Sequence, residues 1–429
     1  MSRTRQFLTL VGCALLGMIG STALAEDPPY PLVTATECRP RDGLPNFLAK
    51  ARTPGAGVKV AYLGGSITAQ DGWRPKTLAY FNRTYKDARF SEINAAIGGT
   101  GSDLGVYRLG QDVLDRGPDL MFVEFATNDG GAPPDQIRKC MEGIVRQTWR
   151  ALPGCDICFV YTLTESAAGP MLEGKFPRSA SAMEAVADHY GIPTIHMAME
   201  VAKLAKEGRL VWAGPLPGAS GRVVFANDGV HPYPETGHEL YLQAIVRSLG
   251  PIAVASRAAR PHALGPPLSP GNYEKATLIP IEEAVLSPGF TPVDLKADAE
   301  YRHFRGRLRS LYRGTHPGDS ITFKFKGTSA SIYDIIGPSA GQVIVTVDGR
   351  PSQVVRRFDA FCLYDRLATV PIAADLTDTI HEVKVEIDSH EPDRIKILGE
   401  EARKIQRPER FRGTNFYPGA ILVVGELVR

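Results

Sequence analysis

The sequence is short of net charge, of cysteine and of long apolar runs, and each shortage closes a class of function. Lysine and arginine number 49 against 47 aspartates and glutamates, a formal net charge of +2. A chain so close to neutrality has no field with which to gather nucleic acid, so none is expected as a partner. Past the first 25 residues no stretch is long and apolar enough to cross a bilayer, so no membrane span is expected in the mature chain. Six cysteines among 429 residues are too few for a disulfide scaffold. The pair Cys155-x-x-Cys158 lacks a second ligand pair at zinc spacing and lacks a thioredoxin context, so neither a metal nor a redox centre is expected. No Gly-Lys-Ser/Thr follows the glycine pair Gly64-Gly65, which argues against a phosphate loop. Internal repeats and low-complexity tracts are also missing.

The first 25 residues carry the one long apolar run. Arg3 and Arg5 precede it, and Ala23-Leu24-Ala25 supplies a small-x-small cleavage site. This predicts a signal peptide over residues 1–25, cleaved after Ala25, and a secreted or periplasmic protein. A retained anchor is the rival reading, although the run is barely long enough to span a bilayer. A lipoprotein site at Leu10-Val11-Gly12-Cys13 is disfavoured because the apolar run continues past Cys13. Removal of Cys13 leaves Cys38, Cys140, Cys155, Cys158 and Cys362, an odd number for an oxidising compartment. They read as buried thiols, with one disulfide expected between Cys140 and Cys155 or Cys158.

From Val58 to about Gly250, short apolar runs alternate with amphipathic stretches. The runs are VKVAYLG (58–64), SEINAAI (91–97), DLMFVEF (119–125), ICFVYTL (157–163) and IPTIHM (192–197). This β-α alternation predicts a doubly wound, flavodoxin-like parallel sheet whose ligands bind beyond the carboxyl ends of the strands. A stretch rich in proline, alanine and glycine follows, read as a linker over 251–275. After it, SITFKFKG (320–327), SASIYDII (329–336), QVIVTVDG (342–349), ATVPIAA (368–374), HEVKVEID (381–388) and GAILVVGELV (419–428) alternate apolar and polar residues. They predict a β-sandwich or jelly roll over 276–429, behind an α/β domain over 26–250.

The chemistry gathers at the ends of the predicted strands. Gly64-Gly65 allows a sharp turn that lifts Ser66 off the first strand. A serine nucleophile needs a base and a carboxylate to orient it. Asn227-Asp228-Gly229-Val230-His231-Pro232 holds both: Asp228 can accept the Nδ1 proton of His231, freeing Nε2 to take the hydroxyl proton. The second strand runs into Gly98-Gly99-Thr100-Gly101 and the third into Ala126-Thr127-Asn128-Asp129. Backbone N–H groups of Ser66 and Gly99 and the amide of Asn128 would then make three donors for an oxyanion.

These blocks, GGSIT, NAAIGGTGS, ATND and DGVHP in that order, resemble the SGNH (GDSL-like) hydrolase family over roughly Val58 to Gly250. The resemblance implies a flavodoxin-like fold, a serine esterase mechanism and no metal or organic cofactor. Two positions depart from the pattern: glycine stands before Ser66 in place of aspartate, and Ala126 stands where many members have glycine. GGSIT with EFATND is more similar to the carbohydrate-esterase members, and GDSITFKFKGTSASIYDIIGP to β-sandwich domains attached to some acetyl esterases. The implied activity is removal of O-acetyl groups from polysaccharide or oligosaccharide. The alternatives are a lipid or small-ester hydrolase of the same fold, a polysaccharide O-acetyltransferase, and a non-catalytic glycan-binding protein. The polar, short AQDGWRPKT after Ser66 leaves no room for an apolar lid, which counts against the lipid reading.

Other residues carry weaker expectations. Trp73 could stack on a sugar ring or fill the core, and Glu165, after the fourth strand, could touch substrate. Glu124, in an apolar central strand, calls for a structural partner, with Arg74 or Arg108 the candidates. Asp129 could cap the loop that follows it. His196 and His238 read as structural. Of Tyr312, Tyr333, Phe358, Phe361 and Tyr364, most are expected to fill the sandwich, with FDAFCLYDR (358–366) a contact loop.

Overall fold

Apolar runs too short for helices, each closed by glycine or a polar turn, form the strands of a parallel sheet. The computed structural model describes residues 30–216, 221–350 and 352–428; the predicted signal peptide lies outside them. The strands are β1 (Cys38–Arg39), β2 (Gly57–Gly64), β3 (Arg89–Asn94), β4 (Leu120–Glu124), β5 (Asp156–Tyr161) and β6 (Thr194–His196). Their order is β1-β6-β5-β4-β2-β3, with β2 to β6 parallel and β1 antiparallel at the edge. Without β1 this is the flavodoxin-like order expected from the sequence. Every residue of β4 and β5 is buried, as a sheet covered on both faces requires.

The covering helices are α1 (Pro45–Ala51), α2 (Ser66–Ala69), α3 (Trp73–Thr84), α4 (Ser102–Asp112), α5 (Pro134–Ala151), α6 (Gly169–Leu172), α7 (Arg178–Tyr190), α8 (Met199–Lys206) and α9 (Gly237–Ala255). The last runs through Pro251, five residues into the stretch read as a linker. A separate parallel pair, β7 (Leu210–Ala213) and β8 (Val223–Ala226), follows the main sheet. The chain beyond α9 is tied down. His262 Nε2 lies 2.7 Å from Asp156 Oδ1, and its ring stacks 4.4 Å from that of Trp149. The N–H groups of Leu268 and Ser269 donate to the Glu142 carboxylate at 2.6 and 2.7 Å.

The remaining chain is antiparallel. Its strands are β9 (Ala276–Pro280), β10 (Val285–Leu286), β11 (Thr291–Pro292), β12 (Tyr312–Arg313), β13 (Ser320–Ile336), β14 (Gln342–Val347), β15 (Gln353–Arg356), β16 (Arg366–Ala373), β17 (Thr379–Ile387) and β18 (Tyr417–Val428), with a short helix α10 (Arg394–Leu398) before the last. The two runs SITFKFKG and SASIYDII prove to be one strand, β13, with a register shift against β18 at Gly327/Ser329. Its first half pairs with β17 and its second half with β16. Phe323, Phe325, Ile332, Val343, Val385 and Ile421 meet in the core between the strands. Asp348 and Gly349, both at positive φ, make the tight turn from β14 to β15. Tyr333 and Phe358 are buried as expected, while Phe361 and Tyr364 are exposed. Leu32–Arg429 form one compact unit that contains both sheets.

The cysteines correct one expectation. Cys38, Cys140, Cys155, Cys158 and Cys362 are all free. Cys140 sits in the second turn of α5, and about 16 Å of helix runs from it to Ala151 before the chain turns toward Cys155. Four of the five are buried, and burial pushes their thiols up, that of Cys362 to about 12. Among the described residues no helix is long and apolar enough to cross a membrane, and no group of three or more His, Cys, Asp or Glu is placed to hold a metal.

Candidate active site

Ser66 opens α2, directly beyond the carboxyl end of β2, with Gly65 as its cap. The turn bonds run from Ala69 N–H to Gly65 O and from Gln70 N–H to Ser66 O, so the Ser66 N–H is left outside the turn. The reason for the glycine pair is spatial. A Cβ at Gly65 would lie 1.9 Å from Asn128 Oδ1, and one at Gly64 would lie 2.7 Å from Thr68 Oγ1. Where aspartate stands in the commoner motif, this chain keeps an empty position filled by the Asn128 amide.

Asp228 and His231 reach Ser66 from the turn after β8. An Ala226–Pro232 bridge and a bond from Tyr233 N–H to Phe225 O close that turn. Asp228 Oδ1 accepts the N–H groups of Val230 (2.9 Å) and His231 (2.8 Å), so the carboxylate folds its own loop. Its Oδ2 lies 2.7 Å from His231 Nδ1, and His231 Nε2 lies 2.8 Å from Ser66 Oγ. With the proton on Nδ1, Ser66 O–H donates to Nε2. Burial raises the Asp228 carboxyl, but the hydrogen bonds from the His231 ring, the His231 N–H and the Val230 N–H outweigh it and hold the carboxyl down at about 2. The pair is open to solvent, with 39% of the His231 side chain and 49% of Asp228 exposed.

The rim is completed by the loops after β3 and β4. Gly98 runs past Ser66, where an added Cβ would lie 3.6 Å from Ser66 Cβ. Gly99 takes φ +73°, a conformation that glycine adopts without strain, and its missing Cβ would point into open space. Ile97 N–H donates to Gly64 O, which ties this loop to the first, and Thr100 Oγ1 donates to Ile97 O within it. The structure thus brings Ser66, Asp228, His231 and Asn128 together, with Gly98 and Gly99 alongside. Glu165 joins them at the edge: its N–H donates to Gly229 O at 3.0 Å, and a Cβ at Gly229 would meet its carboxylate at 2.7 Å.

Trp73 does not belong to the site. It is fully buried, with its ring edge-on to Tyr62 and Phe122 at 5.3 and 5.9 Å, because α3 turns that face inward to the sheet. Glu124 also departs from expectation. Its carboxylate accepts the hydroxyls of Thr68 (2.9 Å) and Thr162 (2.6 Å), and Thr162 meets Thr127 at 2.8 Å. Arg74 is engaged by Asp71 and Glu92, and Arg108 by Asp112, so neither faces it. Burial raises the Glu124 carboxyl, partly offset by Thr162, Thr68 and the Gly65 N–H. The threonines of this network carried no signal in the sequence, since hydroxyls beside a buried acid have no motif.

Asp129 caps α4 rather than its own loop, accepting the Ser102 N–H at 2.9 Å. Burial pushes its carboxyl up to about 7; Ser102 opposes this, and Asp103 and Glu124 add to it. His196 and His238 are buried, and burial drives them down to about 3 and about 4, so both serve as neutral packing groups. His238 Nδ1 accepts the Trp73 N–H at 3.1 Å.

Comparison with known proteins follows this geometry. Residues 62–240 match the GDSL-like Lipase/Acylhydrolase family. A two-domain esterase, CEX, described as active on acetylated mannans and solved with mannopentaose, has TM-score 0.70 and 21% identity, covering 91% of this chain and 97% of that one. The acetylxylan esterase Axe2 from Geobacillus stearothermophilus has TM-score 0.37 and 18% identity over 46% of this chain and 95% of its own. A search of curated proteins returned no match. The CEX likeness extends across both sheets, the parallel one and the antiparallel one.

Proposed function

We propose that the chain is an exported carboxylic ester hydrolase that removes O-acetyl groups from polysaccharide or oligosaccharide. Ser66 attacks the ester carbonyl while His231 Nε2 takes its proton, and Asp228 holds the imidazole and stabilises its charged form. The tetrahedral oxyanion is met by the N–H groups of Ser66 and Gly99 and by the Asn128 amide. His231 then protonates the leaving sugar hydroxyl, and water repeats the sequence on the acyl-enzyme to release acetate. No step calls for a metal or cofactor.

The observation that carries this reading is the relay of 2.8 Å from Ser66 Oγ to His231 and 2.7 Å on to Asp228. Its exposure favours a bulky, hydrated substrate over a long acyl chain, which needs an apolar channel. The esterase CEX acts on acetylated mannans, which makes acetylated glycan the first class to assay. The test is acetate release from acetylated mannan and xylan, set against hydrolysis of long-chain esters. The expected result is release from glycan in preference to long-chain esters, with Ser66→Ala lowering it by about a thousandfold or more. Preference for long-chain esters would favour the lipid hydrolase, and full activity in the Ser66 variant would remove the nucleophile. Export is tested by recovery of the chain, beginning near Glu26, outside the cytoplasm.

A further inference from the structure

Positive charge is nearly balanced over the whole chain, yet it converges at one place far from Ser66. Five arginines, at 302, 305, 307, 309 and 313, fall in the stretch RHFRGRLRSLYR. The loop turns part of this run onto the carboxyl end of α4, bordering an open cavity of about 330 Å³. Its lining cations are Arg116, Lys296, Arg305, Arg307 and Arg309. Arg309 stands 3.7 Å from Asp115; the other four have no ion pair among the described residues. The one acid in the wall, Asp112, is taken by the buried Arg108 at 2.9 Å.

A solvated arginine loop would spread its side chains into water, but Arg307 is half-buried. Burial, and then the charges of Arg108 and Arg116, hold its guanidinium below its ordinary range, against the pull of Asp112 and Tyr333. Beneath it, the Tyr333 hydroxyl and Arg108 Nε are buried without a partner among the described residues. A half-buried cation ringed by exposed ones, above unpaired donors, is stabilised by an anion, and guanidinium forks match an oxyanion in geometry. We propose that this cavity binds an oxyanion: the carboxylate or sulfate ester of an acidic saccharide, or a free inorganic anion. The saccharide source rests on the function proposed above. α4 has eleven residues, so its two ends lie about 16 Å apart, with the Ser66 rim near the first. A saccharide several units long could therefore be anchored here while another part of it meets the nucleophile.

The experiment uses the mature chain carrying Ser66→Ala, so that binding is read without hydrolysis. It is titrated calorimetrically, at fixed ionic strength, with sodium sulfate, with a uronic-acid hexasaccharide and with a neutral hexasaccharide. Expected is binding of sulfate, weakened tenfold or more by Arg305→Glu and by Lys296→Glu. Both residues are exposed on the rim, so an unchanged melting temperature checks that each variant folds. A tenfold preference for the uronic-acid chain over the neutral one identifies the saccharide as the source. Sulfate binding without that preference supports the site and leaves a free anion as its ligand. If neither sulfate nor the acidic chain binds, or if both variants bind as the parent does, there is no such site. Because activity is not read, failure of the esterase assignment would leave these outcomes unchanged.

Discussion

Gly65 is held to glycine by its neighbour rather than by its backbone, whose φ of −92° any residue can take. A methyl group there would meet Asn128 Oδ1 at 1.9 Å, a contact that cannot be accommodated without moving the amide. Gly65→Ala is expected to lower kcat by about a hundredfold, as loss of one oxyanion donor does, with little change in KM. Asn128→Ala should act alike, and the double variant should be little worse than either. Additive losses would show that Gly65 and Asn128 act separately. Asp129 supplies a pH test. Between about pH 4 and 7 the folded chain keeps a proton that the unfolded chain has released, so stability falls as pH rises through that window. At 3% exposure the shift corresponds to about 4 kcal/mol at most, above pH 7. Asp129→Asn retains the acceptor for Ser102 N–H and removes the penalty. Its melting temperature should exceed the parent's by a margin that grows from pH 4 to pH 8; a constant margin would contradict the argument. Asp228 and His231 were legible in sequence because the carboxylate grips its own turn, a local geometry that three-residue spacing encodes. Trp73 was not, since the spacing of apolar residues on α3 cannot tell whether an aromatic beside Ser66 faces the cleft or the sheet.

At the scale of elements, the turn that carries Ser66 is held from below by a side chain of a neighbouring strand. Glu124, opposite Gly64 in the β2–β4 register, bridges Thr68 on α2 and Thr162 beyond β5. No cation faces it, and burial favours its neutral form, so an amide of the same shape should replace it. Glu124→Gln is expected to stay within about 1 kcal/mol of the parent in urea unfolding and to keep most of its activity. Glu124→Ala leaves two threonine hydroxyls unpaired over a cavity and should lose on the order of 3 kcal/mol, with kcat reduced tenfold or more. If the glutamine variant proves as damaged as the alanine one, the carboxylate is charged in the fold and the partner assignment must change. The long strands and helices were readable because each repeats its period several times. β7 and β8 were not: at four residues each, they hold too little alternation to register. Yet the turn carrying Asp228 and His231 hangs from β8. Pro251 likewise read as a boundary, although α9 continues through it.

At the scale of the molecule, burial decides the chemistry of five thiols that the sequence left partly paired. Neither Cys140 nor the Cys155-x-x-Cys158 pair forms a bridge, and burial raises each of these thiols as well as that of Cys362. A thiol whose reactive thiolate is suppressed and whose sulfur is out of water resists oxidation and exchange. Unpaired cysteines placed in this way would persist even in an oxidising compartment. Cys38 differs: it lies at the sheet edge, half-buried, its thiol raised by burial and partly eased by the Ser248 side chain, while its Sγ donates to the Ser248 carbonyl 3.8 Å away. A chain made to begin at Glu26 should therefore label at no more than one position within minutes when treated natively with a thiol reagent at pH 8. In denaturant without reductant all five should label. Mass spectrometry of the natively modified chain should place the label on Cys38. Fewer than five labels in denaturant would mean that a disulfide forms after all. Rapid native labelling of Cys140 or Cys158 would mean that the layers around the parallel sheet open far more readily than their packing implies.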